Sequence, residues 1–168
     1  AALGFVGPLS ASIDADGGAA CVGIEPSLSA AVEARLDGCL AVTLAGRAAE
    51  EVVLGDVTAG AVTDLANATR LAVMMETRLG FSPRMPLVAF ADAEPSDALR
   101  APWVAAAVHA RLTAAYDSAL DMMRIHRREL VRVSDGLFRS GRLEDAEIRR
   151  LLGRRLGRAA EPSSGRSG

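Results

Sequence analysis

Lysine is absent from this chain: every one of its 19 basic residues is an arginine. No Schiff base can form on such a chain, and no Walker A loop can hold nucleotide phosphates. ATP is therefore not hydrolysed by these residues. Aromatic side chains make up only 4 %, and 21 acidic residues nearly cancel the basic ones, leaving a formal charge of −2. Without a broad basic surface interleaved with aromatics, a nucleic-acid partner is disfavoured. No apolar run approaches the roughly 18 residues of a membrane helix, and the first 25 residues lack a basic stretch followed by an apolar one. The expectation is a soluble chain. Cys21 and Cys39 form neither a disulfide framework nor a C-x-x-C site, which favours a reducing compartment. Two histidines, His109 and His126, stand seventeen positions apart with no H-E-x-x-H between them.

Half of the residues are apolar, enough for one substantial core in 168 residues. One mainly α domain is expected over residues 1–160, with a short β-hairpin at about 9–25 around Asp16-Gly17-Gly18. Helices are expected at about 27–54, 63–79, 102–134 and 143–156, and a disordered Ser/Gly-rich tail over 161–168. Ser27 or Ser29 is the expected cap of the first helix and Thr63 that of the second, with Gly55 and Gly80 as stops. Gly38 and Gly46, inside the first helix, suggest close packing. Residues 81–101, with Pro83, Pro86 and Pro95, read as a loop with room for a short strand over Leu87–Phe90.

Several side chains can carry chemistry. Glu50 and Glu51 are adjacent, so on a helix they point about 100° apart and do not easily share a proton. Their bland reading is an ion pair from Arg47 to Glu51. Asp64 lies in the first turn after the glycine-containing loop Thr58-Ala59-Gly60-Ala61, where a helix start would hold its carboxylate in a fixed direction. His126 falls on the apolar stripe of its helix and reads as a packed histidine, and His109 as an exposed one. Arg149, Arg150, Arg154, Arg155 and Arg158 give the last helix a basic, solvated face.

The run Gly46-Arg47-Ala48-Ala49-Glu50-Glu51, then Thr58-Ala59-Gly60-Ala61-Val62-Thr63-Asp64-Leu65 with Ala68-Thr69, then Gly80-Phe81-Ser82, resembles the peptidase domain of FtsH-type ATP-dependent zinc metalloproteases. That family reads G-G-R-x-A-E-E, T-G-A-x-x-D-x-x-x-A-T and G-[FM]-S, in the same order and spacing. The resemblance extends to about Gly157 through Ala115-Tyr116, His126-Arg127, Leu143 and Glu147-Ile148. It is weakest in the hairpin, where the family's I-x-P-R-G is Ile13–Gly17 and its A-L-G is Ala19-Ala20-Cys21.

The resemblance implies a helical-bundle zinc peptidase in which H-E-x-x-H supplies two ligands and the general base, and Asp64 supplies the third ligand. Glu50 and Glu51 would stand behind the metal ligands, and Thr58, Ala59, Gly60 and Ala61 would position Asp64. It further implies unfolded polypeptide substrates, a homo-hexamer, and ATP bound in a separate ATPase domain. Membrane contact would come through other segments, at the cytoplasmic face of an inner membrane. H-E-x-x-H would lie just upstream of Ala1, so residues 1–168 alone are expected to bind zinc poorly and to be inactive. The alternative is a catalytically dead relative serving as an oligomerisation or adaptor module.

Overall fold

The structure, a computed structural model, describes residues 11–13 and 19–21 by their backbone pairing, and residues 32–90 and 94–153 in full. It is mainly α, as the sequence suggests, and divides into two compact units: residues 26–127, and residues 1–25 with 128–168.

The larger unit contains α1 (Glu33–Thr43), α2 (Ala45–Leu54), α3 (Val62–Thr77), the single-turn α4 (Pro95–Ala98) and α5 (Pro102–Ile125). Leu36, Leu40 and Leu44 recur every fourth residue, so one stripe of α1 and its end faces inward. It packs against Ala68, Ala72 and Met75 of α3 and Val104, Val108 and Ala115 of α5. A smaller cluster joins Ala48 of α2 to Ala119 and Leu120 of α5, where alanines keep both surfaces flat.

The single helix expected over 27–54 is two helices, meeting at Leu44. Leu44 is locked in the core, and the preceding Thr43 Oγ1 donates to Cys39 O at 2.9 Å. Such back-bonding opens a helix locally and favours a bend there. The proposed caps Ser27 and Ser29 lie outside the described residues. Gly55 ends α2 at φ +78°, a left-handed conformation that costs glycine little.

A 3₁₀ turn, Ala59–Ala61, leads into α3. Thr63, expected to cap this helix, lies inside it; α3 starts from Ala61 with no side-chain cap, and Thr58 caps the 3₁₀ turn before it, its hydroxyl accepting from Gly60 N at 3.2 Å. After Thr77 the N–H groups of Leu79 and Phe81 bond back to Met74 O and Met75 O, and Gly80 takes φ +72°. No strand forms over Leu87–Phe90, although Phe90 N donates to Thr77 O at 2.7 Å. The expected helix over 102–134 is likewise divided: α5 ends at Ile125, His126 leaves helical geometry, and α6 (Arg127–Ser140) continues through Gly136.

In the other unit, β1 (Ala11–Ile13) pairs antiparallel with β2 (Ala19–Cys21), Ala11 opposite Cys21. The turn between them lies outside the described residues. The other edge of β1 pairs with β3 (Arg142–Leu143), giving the order β2-β1-β3. Leu143, expected to open the last helix, is thus a buried strand residue. The helix itself, α7 (Asp145–Leu152), starts from a reciprocal capping box between Glu144 and Glu147. The 161–168 tail and Arg154, Arg155 and Arg158 lie outside the described residues. Among the described residues, no helix is long and apolar enough to cross a membrane.

Candidate metal centre

Asp64 occupies the first turn of α3 with its side chain exposed to solvent. Gly46, in the first turn of α2, lies close to it: a Cβ added there would stand 3.9 Å from Asp64 Oδ2 and meet no other side chain within 4 Å. Gly46 is exposed, so it does not mark tight helix packing as the sequence suggested. It leaves open ground beside the carboxylate. Asp64 forms no ion pair with another described residue.

One turn along α2 from Gly46, Glu50 reaches the loop that precedes Asp64. Thr58 N donates to Glu50 Oε2 at 2.8 Å, and Thr58 Oγ1 donates to Glu50 Oε1 at 3.0 Å. The same hydroxyl accepts from Gly60 N. Glu50, Thr58 and Gly60 thus form a continuous hydrogen-bonded chain from α2 to the turn that opens α3. Ala61, buried, seats the end of that turn, while Thr58, Ala59 and Gly60 are exposed.

Glu51 points elsewhere. Its Oε2 accepts from the phenol of Tyr116 on α5 at 2.7 Å. Burial, then the hydrogen bond and charge of Glu51, push the Tyr116 phenol up from its ordinary pKa, and nearby Arg47 opposes them. The Arg47 to Glu51 ion pair is not formed; Glu51 accepts from the phenol instead. Glu50 and Glu51 therefore diverge, as adjacent helix positions must.

The sequence profile of peptidase family M41 matches residues 14–151. The chain belongs to peptidase family M41. Among its relatives, the ATP-dependent zinc metalloprotease FtsH of Thermotoga maritima is 31 % identical over 135 residues, covering 73 % of this chain. The ATP-dependent zinc metalloprotease FtsH of Chloroflexus aggregans is 31 % identical over 145 residues, 77 % of this chain. The ATP-dependent zinc metalloprotease FtsH 1 of Symbiobacterium thermophilum is 40 % identical over 110 residues, 65 % of this chain. The matched parts span 22 %, 22 % and 18 % of those relatives. The likeness to the FtsH-type peptidase domain holds well beyond the motifs that first suggested it.

Asp64 offers an exposed carboxylate oxygen beside a position with no Cβ. The histidines do not join it: His109 is exposed on α5 and His126, half-buried, sits at the α5 to α6 junction rather than in the core. Among the described residues, no group of three His, Cys, Asp or Glu side chains could hold a metal. Cys39 is buried in α1, and burial raises its thiol pKa against the opposing charge of Arg35. That makes it a packing residue.

The M41 fold also contains a charge cluster that the sequence patterns did not reveal. Arg111 donates to Glu76 at 2.8 Å, Asp37 at 2.7 Å and Glu33 at 2.9 Å, tying α5 to α3 and α1. Burial lowers the guanidinium pKa, but the hydrogen bonds to Asp37, Glu76 and Glu33 outweigh it and the net shift is upward. The available signal was positional: Arg111 stands between Val108 and Ala115, on the inward stripe of α5.

Proposed function

We propose that these residues form part of the peptidase domain of an ATP-dependent zinc metalloendopeptidase that degrades unfolded or membrane proteins. Asp64 is one zinc ligand. By the family resemblance, two imidazoles and the general-base carboxylate come from an H-E-x-x-H helix, a motif that the sequence of residues 1–168 does not contain. Bound zinc would supply Lewis acidity toward the peptide carbonyl and lower the pKa of a water ligand to about 7. This chain's own residues hold and orient the carboxylate: Thr58, Ala59, Gly60 and Ala61 set the start of α3, and Glu50 and Glu51 support the site from α2. With Asp64 as the one ligand assigned among the described residues, the chain alone is proteolytically silent.

The wider reading rests on the family resemblance and goes beyond the relatives' names, which give only ATP dependence and zinc: ATP is bound in another domain, and the whole protein is a homo-hexamer anchored at the cytoplasmic face of an inner membrane. The observation that supports the site assignment best is the exposed carboxylate of Asp64 beside Gly46. The test is ATP-dependent degradation of an unfolded protein by the natural full-length polypeptide and its Asp64→Asn variant. Loss of degradation in the variant, with ATP hydrolysis retained, is expected. Undiminished degradation would remove Asp64 from the centre.

A further inference from the structure

Glu50 and Gly46 lie four residues apart on one face of α2 and meet the same short stretch of chain from two sides. Gly46 abuts Asp64, while Glu50 holds Thr58 six residues before it. Both Glu50 oxygens are engaged by Thr58, and the Thr58 hydroxyl both donates to Glu50 and accepts from Gly60 N. A hydroxyl has one proton and two lone pairs, so this pattern fixes its orientation. A Cβ on Gly60 would stand 3.2 Å from that hydroxyl, so the turn is closely fitted around it. Residues 58–61 have no other side-chain hydrogen bond to α2 among the described residues.

We infer that Glu50 and Thr58 are positioning residues that staple the 58–61 turn to α2 and thereby set the direction of the Asp64 carboxylate toward the metal. This rests on Asp64 being a zinc ligand and assigns Glu50 a different means of action from orienting an imidazole directly. Such supporting contacts typically govern metal affinity by about 10-fold to 100-fold. In this fold the contact acts on the backbone that carries the ligand.

The experiment uses the natural full-length protein, with zinc affinity read by chelator competition and loop order read by amide hydrogen exchange at Gly60 and Ala61. Thr58→Val keeps the side chain's shape and removes the hydroxyl; Thr58→Ser restores it. The expected result is zinc binding weakened about 10-fold or more in Thr58→Val, with faster Gly60 exchange, unchanged exchange in the α1, α3 and α5 core, and recovery in Thr58→Ser. Glu50→Ala gives both effects as well. Unchanged zinc affinity in Thr58→Val, while Asp64→Asn loses zinc, overturns the staple and leaves the ligand assignment standing. Weakened zinc in Glu50→Ala without faster Gly60 exchange overturns it too, since Glu50 would then act on the metal site directly. Full zinc retention in Asp64→Asn would instead reject the underlying site, and with it this inference.

Discussion

Arg111 Nε and Nη2 both donate to one oxygen of Glu76, at 3.0 and 2.8 Å, and leave Glu76 Oε2 buried without a partner. The carboxylate is almost wholly out of solvent on α3, so its charge relies on α5 for compensation. Glu33 and Asp37 are about half exposed and contribute less, in the range of surface pairs at roughly 0 to 1 kcal/mol each. Truncating the guanidinium by Arg111→Met should cost about 3 to 5 kcal/mol, because an uncompensated carboxylate remains in the core. Adding Glu76→Met should recover most of that loss. Urea unfolding of both variants decides it: a double variant as unstable as the single one would mean that the pair is not what couples α3 to α5.

The contact between Tyr116 and Glu51 predicts a pH dependence. The folded state holds the phenol proton more tightly than the unfolded chain, since burial and the adjacent carboxylate raise its pKa from 10.0. Its contribution is complete below about pH 10 and is lost as pH rises through the folded value. Near neutrality Tyr116→Phe should cost about 1 kcal/mol. That gap should close as pH rises through the folded pKa. Tyr116 is the only tyrosine and no lysine titrates in this range, while the Cys39 contribution is common to both proteins and cancels. A gap that stays constant would show that the phenol is not coupled to Glu51.

Gly136 has a packing reason to sit inside α6. A Cβ there would meet Leu151 Cδ1 at 2.9 Å and Leu143 Cδ1 at 3.6 Å. Gly136→Ala gains about 1 kcal/mol of helix propensity but forces Leu151 to move. It should therefore stabilise less in the natural background than in Leu151→Ala, where the propensity gain is unopposed. Thermal unfolding of the four proteins measures this coupling, and equal effects in both backgrounds would exclude it.

Much of the fold was legible because it is periodic. Leu36, Leu40 and Leu44, and Ala68, Ala72 and Met75, repeat at helical spacing and are buried where that spacing points. The breaks were not legible. Leu44 and His126 carry no proline or glycine signal, and the bend at Leu44 follows from core anchoring and a Thr43 hydrogen bond. β3 was hidden for a different reason: Ser12 pairs with Arg142 across nearly the whole sequence, and two residues have no readable alternation. A charge on an apolar stripe, Arg111, was hard to recognise because its partners lie on two other helices.

At the candidate site, the Asp64 turn was readable from the glycine-containing loop before it, but its attachment was not. Glu50 and Thr58 are separated by a helix end and a left-handed glycine, so no helical spacing relates them. Glu51 looked like a partner for Arg47, four positions back, until Tyr116 was brought to it from α5.

Gly46 gives a graded prediction about the ground beside Asp64. A methyl group at 3.9 Å from Oδ2 is ordinary contact, so Gly46→Ala should fold as well as the natural chain and keep zinc within about 3-fold, well short of the 10-fold expected when a supporting contact is lost. Gly46→Leu should weaken zinc by more than that while leaving the core intact. Equal zinc affinity in all three proteins would mean that Asp64 does not need the clearance.

The most direct test of the whole account is the zinc content of the natural full-length protein, purified without chelator, beside its Asp64→Asn variant. The account predicts one zinc per chain in the former and a large loss in the latter, with Tyr116 absorbance and thermal unfolding of the helical core little changed. Equal zinc in both proteins would contradict it.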